Sequence, residues 1–240
     1  MAEENTVAVG ARHGVPVRVK LPLPRPWTLP PQGLALFHGD KDTARLSHYF
    51  LPRLLLEGKR VLMLDGANCA DPRLLERLAR QRRVPFEQFS RQIQIARAFT
   101  CFQLTELIAR VPRLLADFPA QVLVVTAFPE LYYDEDVRDW NAQVAFEQAL
   151  ANLRRLARSG DFTSPCGGGL KVSLAREREL ALTVAVFSSA TTFTPSPARK
   201  RFFEKACAAG SEVWQFNSNA EGKLRLVCSK RIVPRNSLSS

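Results

Sequence analysis

The sequence predicts an α/β domain, with a mostly parallel central sheet flanked by helices and closed by a C-terminal β-hairpin. Three observations carry that expectation. From Gly33 onward, short apolar runs alternate with segments of helical period, the pattern of repeated strand and helix units. The run Gln121-Val-Leu-Val-Val125 is almost wholly apolar, as suits a strand covered on both faces of a parallel sheet. Near the end, two short runs are joined by Asn217-Ser-Asn-Ala-Glu-Gly222, a polar connection suited to antiparallel pairing.

Residues 1–32 hold no sustained period and end in Leu21-Pro-Leu-Pro-Arg-Pro-Trp-Thr-Leu-Pro-Pro31, which favours extended backbone and reads as a proline-rich arm or linker. Alternation of Val15, Val17, Val19 and Leu21 suggests a short edge strand before the prolines, and Trp27 is placed to dock on the domain. The domain proper covers 33–232, and 233–240 read as a frayed tail.

Within the domain, the first strand is Leu34-Ala-Leu-Phe37, followed by a helix over Thr43 to Leu56 carrying Leu46, Phe50, Leu54 and Leu55 and bent at Pro52. The second strand, Arg60-Val-Leu-Met-Leu64, ends at Asp65, and a helix over Pro72 to Gln81 sets Leu74, Leu75 and Leu78 on one face. Ile93-Gln-Ile-Ala96 is the third strand, with a helix over Cys101 to Phe118. After the buried fourth strand, a helix over Trp140 to Arg158 spaces Val144, Phe146, Leu150, Leu153 and Leu156 along one stripe. Gly167-Gly-Gly169 with Lys171 reads as a surface insertion before the fifth strand, Leu180 to Phe187. Glu212 to Phe216 and Lys223 to Val227 form the closing hairpin.

Composition narrows the function. At 240 residues, the chain can bury one sizeable core, and 46% hydrophobic with 24% charged residues is an ordinary globular balance. No apolar run approaches the roughly 20 residues that span a bilayer, and Met1-Ala-Glu-Glu-Asn5 is acidic with no apolar stretch after it. A soluble, cytoplasmic protein with no membrane partner is expected. The cysteines Cys69, Cys101, Cys166, Cys207 and Cys228 form no C-x-x-C pair, and His13, His38 and His48 fall in no zinc-binding spacing, so reduced thiols and no metal site are expected. The formal net charge of +11 favours a polyanionic partner, nucleic acid first, although basic residues also simply solubilise a surface.

The order of elements and several strings resemble the RecA/RadA recombinase family over roughly residues 33–232. Lys59-Arg-Val-Leu-Met-Leu-Asp65, a helix, and then Ile95-Ala-Arg-Ala-Phe-Thr100 parallel the family's strand ending in Asp and its later A-R-A-[FY]-[NT] string. The apolar strand Val122 to Val125, Leu131-Tyr-Tyr133, the helix ending Leu153-Arg-Arg-Leu-Ala157 and the terminal hairpin extend the likeness. It implies the fold of a RecA-like P-loop ATPase core.

The same resemblance implies that ATP chemistry is lost. An active member needs G-x-x-x-x-G-K-[ST], whose backbone N–H groups cradle phosphates, whose Lys reaches them and whose hydroxyl ligates Mg²⁺. Here the string is Gly39-Asp-Lys-Asp-Thr-Ala-Arg-Leu46. Gly39 matches the first glycine, Ala44 stands for the second, Arg45 for the lysine and Leu46 for the hydroxyl, while Asp40 and Asp42 set negative charge beside the phosphates and Lys41 lies between them. Ala67 occupies the position of the family's water-orienting carboxylate, and Thr126 that of the Asp holding the Mg²⁺ shell. A pseudo-ATPase without ATP or Mg²⁺ as cofactor follows, with Asp65 and Glu130 as the carboxylates left for any residual chemistry. Read without the resemblance, Gly39 to Leu46 is an ordinary turn into a helix capped at Thr43.

In the family, loops after the fourth and fifth strands hold single-stranded DNA, and the resemblance sets them here at Tyr132 to Trp140 and Thr191 to Gly210. In the second, Arg199, Lys200, Arg201 and Lys205 offer cations and Phe202 and Phe203 rings, a combination suited to sequence-tolerant DNA binding; the rings could equally anchor a helix. The first loop, Tyr132-Tyr-Asp-Glu-Asp-Val-Arg-Asp139, is acidic and suits a protein contact better. The expected function is a non-hydrolysing accessory protein of DNA recombination or repair that binds single-stranded DNA, a RecA-family recombinase or a repair polymerase. A divergent DNA-dependent ATPase using Lys41 or Arg45, and a pure protein-interaction subunit working through Tyr132 to Asp139, are the alternatives.

Overall fold

A computed structural model describes residues 6–9, 17–20, 29–30, 33–158, 182–218 and 224–231. Its strands are β1 (Thr6–Val9), β2 (Val17–Lys20), β3 (Gly33–His38), β4 (Val61–Asp65), β5 (Ile93–Arg97), β6 (Val122–Thr126), β7 (Thr183–Ser188), β8 (Glu212–Ser218) and β9 (Leu224–Arg231). The last seven make one sheet in the order β5-β4-β6-β7-β3-β8-β9. Every pair in it is parallel except β8 with β9, so the α/β class, the mostly parallel sheet and the closing hairpin all stand.

Alternation along each central strand explains why helices cover both faces. In β3, Leu34 and Leu36 enter one apolar layer with Leu62, Leu64, Leu123 and Val125, packed under α5 (Cys101–Asp117), α6 (Asp139–Arg158) and α7 (Arg201–Ala209). Ala35 and Phe37 enter the other with Val61, Met63, Val122 and Val124, beneath α1 (Thr43–Leu46), α2 (Leu51–Leu56), α3 (Pro72–Gln81) and α4 (Phe86–Ser90). The first layer is rich in rings: Phe146 stacks on Phe128 at 5.3 Å and on Phe202 at 4.3 Å between ring centres. At the start of β3, Gly33 holds a φ of 101°, a conformation that favours glycine, and a Cβ there would also displace the Ser211 hydroxyl.

Local chemistry sets the helix starts. Asp71 caps α3 by accepting from Arg73 N at 2.9 Å and Leu74 N at 3.3 Å. Thr100 caps α5 by accepting from Gln103 N at 3.2 Å, while the Gln103 side chain accepts from Phe99 N at 2.8 Å, a near relative of the capping box.

Several expectations need correction. The helix foreseen over Thr43 to Leu56 is three pieces, because a 3₁₀ turn at Ser47–Tyr49 separates α1 from α2. Ser47 Oγ donates to Ala44 O at 2.6 Å and so competes with the regular ladder there. Pro52 does not bend a helix: it lies in the first turn of α2, where its missing N–H leaves no bond unmade. Helices α4 and α7 join those foreseen. Val17–Lys20 is a strand, but it pairs antiparallel with Thr6–Val9 in a separate two-stranded sheet, not at the edge of the main one. Trp27, the Gly167–Gly169 insertion and the tail at 233–240 lie outside the described residues. Among the described residues, no helix is long and apolar enough to cross a membrane.

Candidate functional site

The carboxyl ends of parallel strands are where open α/β sheets place ligands, and the sequence-predicted residues gather there. The register sets His38 of β3 beside Ser188 of β7, and Asp65 of β4 beside Thr126 of β6.

The turn after β3 is closed on itself. Asp42 N donates to Asp40 Oδ1 at 3.1 Å and Thr43 N to Asp40 O at 3.1 Å, while Arg45 N and Leu46 N donate to Asp42 O at 2.9 and 3.3 Å. Gly39 N donates to Ser188 O at 3.3 Å, and Thr191 Oγ1 donates to Gly39 O at 2.7 Å. Five N–H groups that a phosphate cradle would aim at its ligand are therefore already bonded within the protein. The turn is also tightly packed, since a Cβ on Gly39 would lie 2.7 Å from Thr43 Oγ1 and 3.0 Å from Phe216 O. Ala44 and Leu46 are buried in the apolar layer beneath α1 and α2, whereas Asp40, Lys41 and Arg45 are exposed. His38 Nδ1 and Thr43 Oγ1, buried side-chain atoms that meet no partner among the described residues, flank this turn. Burial lowers the His38 pKa and keeps its ring neutral, edge-on to Phe203 at 5.2 Å.

Asp65 is fully buried and engaged on both oxygens. Its Oδ1 accepts from Thr126 Oγ1 at 3.1 Å, Cys69 N at 3.0 Å and Cys69 Sγ at 3.4 Å; its Oδ2 accepts from Ala70 N at 2.9 Å, with Arg97 Nε at 3.7 Å. The carboxylate thus folds the 66–70 loop back onto the sheet. Thr126 Oγ1 also accepts from Ala67 N at 3.2 Å. Burial first, then the Asp65 charge, pushes the Cys69 thiol up to about 12, so it is no nucleophile at neutral pH. The His48 ring supports the same loop: its Nε2 accepts from Asp71 N at 3.3 Å, so Nδ1 carries the proton given to Arg45 O at 3.1 Å.

Glu130 is the other buried carboxyl. Ser188 Oγ donates to Oε2 at 3.2 Å and Ser189 N donates to Oε1. Burial outweighs these bonds and raises its pKa to about 7. The group links the 3₁₀ turn Glu130–Tyr133 to the end of β7, and the turn itself follows Ala127, whose φ of 58° is costly for a residue with a Cβ.

The segment expected to meet DNA is divided by the fold. Arg199 is 3% exposed and grips the preceding loop: Nε donates to Asp139 Oδ1 at 2.6 Å, Nη1 to Tyr132 O at 3.3 Å and to Asp134 O, and Nη2 to Val137 O. That guanidinium is a buried clamp with no face for a phosphate. Phe202 is equally buried, stacked between Phe146 and Tyr133, and unable to receive a base. Phe203 is half-buried against His38, and Lys205 is paired with Glu147. Lys200 and Arg201 remain exposed at the start of α7.

The clamp itself escaped sequence reasoning, because Arg199 reads as one of three consecutive cations and its acceptors are mostly backbone carbonyls far along the chain. Among the described residues, no group of three or more His, Cys, Asp or Glu side chains is gathered to hold a metal ion. The chain matches no protein-family model and no curated protein.

Proposed function

We propose that this chain is a RecA-like domain that serves DNA recombination or repair without hydrolysing ATP, as an accessory that binds single-stranded DNA or a recombinase or polymerase partner. The observation that carries the reading is the closed turn after β3, whose amides are bonded internally where a phosphate loop would leave them open. Two further features support it. Thr126 and Ala67 bring no carboxylate to a metal or to water, and the one acid beside them, Asp65, is occupied by four donors. The net charge of +11 suits a polyanion, with Lys200 and Arg201 as exposed contacts.

The test is binding of labelled oligo(dT) across a salt series, with and without ATP and Mg²⁺, beside an assay of phosphate release. The expected result is salt-sensitive binding that ignores ATP, no phosphate release, and a salt slope smaller by about 1 to 2 in Lys200→Ala/Arg201→Ala. ATP turnover lost on Lys41→Ala would favour the divergent ATPase instead, and absence of any DNA binding would remove the nucleic-acid half of the proposal.

A further inference from the structure

Exposed rings stand at the starts of α5 and α6 and on the segment after β7. Phe99 (64% exposed), Phe102 (49%), Trp140 (73%), Val144 (46%) and Phe193 (49%) stand out among the large hydrophobics of the described residues. Side-chain contacts next to these rings bring their elements together. Thr105 Oγ1, one turn beyond Phe102 on α5, meets Tyr132 Oη at 2.9 Å and donates to Ala145 O at 3.3 Å, beside Val144 on α6. Trp140 lies one turn before Val144. Phe193 packs 6.1 Å from Tyr133, and Ser196 Oγ donates to Asp139 Oδ1 at 3.2 Å, so the segment after β7 closes the same corner.

This apolar corner carries an acidic rim. Asp134, Glu135 and Asp136 are all exposed on the loop that Arg199 holds in place, with Arg138 as the exposed cation among them. Clustered exposed aromatics mark an interaction surface, and negative charge beside them repels nucleic acid. A second copy of the chain is a poor match: among the described residues the other large exposed hydrophobics, Leu56, Ile95 and Val227, lie apart on α2, β5 and β9, and two copies meeting through this corner would set Asp134, Glu135 and Asp136 against like charge.

We infer that the Phe99–Phe102–Trp140–Phe193 corner is a docking surface for a different protein, taking a segment that presents Lys or Arg side chains next to apolar ones. The aromatics bury the apolar side chains, and Asp134, Glu135 and Asp136 meet the cations and set specificity. The inference rests on the partner-binding half of the function proposed above and is independent of its nucleic-acid half.

The test uses the full chain and labelled dodecapeptides followed by fluorescence anisotropy: one of alternating Leu and Lys, one of alternating Leu and Glu, and oligo(dT) as the nucleic-acid probe. The Leu–Lys peptide is expected to bind at least about tenfold more tightly than the Leu–Glu peptide. That preference should disappear in Asp134→Asn/Glu135→Gln/Asp136→Asn, and binding should fall in Phe102→Ser/Trp140→Ser, both with unchanged far-ultraviolet circular dichroism. Oligo(dT) binding should be untouched by Phe102→Ser/Trp140→Ser and no weaker in Asp134→Asn/Glu135→Gln/Asp136→Asn, so loss of DNA binding in the experiment above and loss of peptide binding here are separate failures. Equal affinity for the two peptides, oligo(dT) binding abolished by Phe102→Ser/Trp140→Ser, or self-association in sedimentation that those changes abolish would each overturn the inference.

Discussion

The hydroxyl of Thr126 donates to Oδ1 of Asp65 at 3.1 Å, tying the ends of the adjacent strands β4 and β6. A side chain that accepts an amide and donates to a carboxylate cannot be exchanged for a second carboxylate without conflict. Thr126→Asp is therefore expected to destabilise the domain by about 2 to 4 kcal/mol at neutral pH, through a buried pair of like charges. One of the two carboxyls is forced to a raised pKa, so part of the loss should be recovered as the pH is lowered. Urea unfolding at pH 7.5 and 5 checks both signs; a neutral outcome would mean that Asp65 is free to turn away.

Arg199 and its neighbours should separate by role. Arg199→Met leaves the carbonyls of Tyr132, Asp134 and Val137 without their donor and should cost about 3 to 5 kcal/mol. Lys200→Ala and Arg201→Ala remove exposed cations and should change stability by no more than about 0.5 kcal/mol. Thermal melts of the three variants decide the matter.

Glu130 makes stability depend on pH in an unusual direction. Its folded pKa, about 7, lies above the ordinary 4.5, so the folded protein binds the proton more tightly than the unfolded chain. The stabilisation from this group is fully present below pH 4.5 and is lost as the pH rises through 7. Glu130→Gln should abolish that contribution, of order 3 kcal/mol, and make the variant gain on the wild type between those limits. The comparison requires unfolding free energies of both proteins from pH 4.5 to 8; parallel curves would contradict the raised pKa.

His48 acts with the opposite sign. Burial, its largest influence, lowers the pKa below 6.5, so the neutral ring belongs to the folded state and protonation would turn its Nε2 acceptor into a donor facing Asp71 N. Stability from this group is present above 6.5 and lost as the pH falls below it. His48→Gln, whose amide can both donate and accept, should unfold less readily than the wild type in mild acid, as read by the midpoint of an acid titration.

Much of the architecture was legible. Apolar runs and helical periods placed the strands from β3 to β9 and the helices α3, α5 and α6, because burial on a parallel sheet leaves a continuous apolar record, although β7 starts at Thr183 and not Leu180, and β9 runs on to Arg231 past the expected Val227. The break before Pro52 was not legible, since it depends on Ser47 and His48 bonding backbone carbonyls one turn back. At the site, Ala44, Leu46, Ala67 and Thr126 could be singled out only against the motifs of the family that the chain resembles, because none of these residue types carries a signal of its own. The roles of Arg199 and Phe202 could not: both look like surface chemistry in sequence, and only the approach of the 132–139 loop and of Phe146 turns them inward.

Strand β3 lies between β7 and β8, which come from residues more than 140 positions further on. A ribosome making this chain therefore releases β3 well before the two strands that flank it in the sheet. Until β7 has emerged, Leu34, Leu36 and Phe37 have no sheet to enter, and an apolar strand of that kind is a natural client for chaperones and a seed for aggregation. Splitting the gene before β8 would yield a fragment with this strand open on one side, whereas moving the termini to join 33–38 directly after β8 would let it meet a nearly finished sheet.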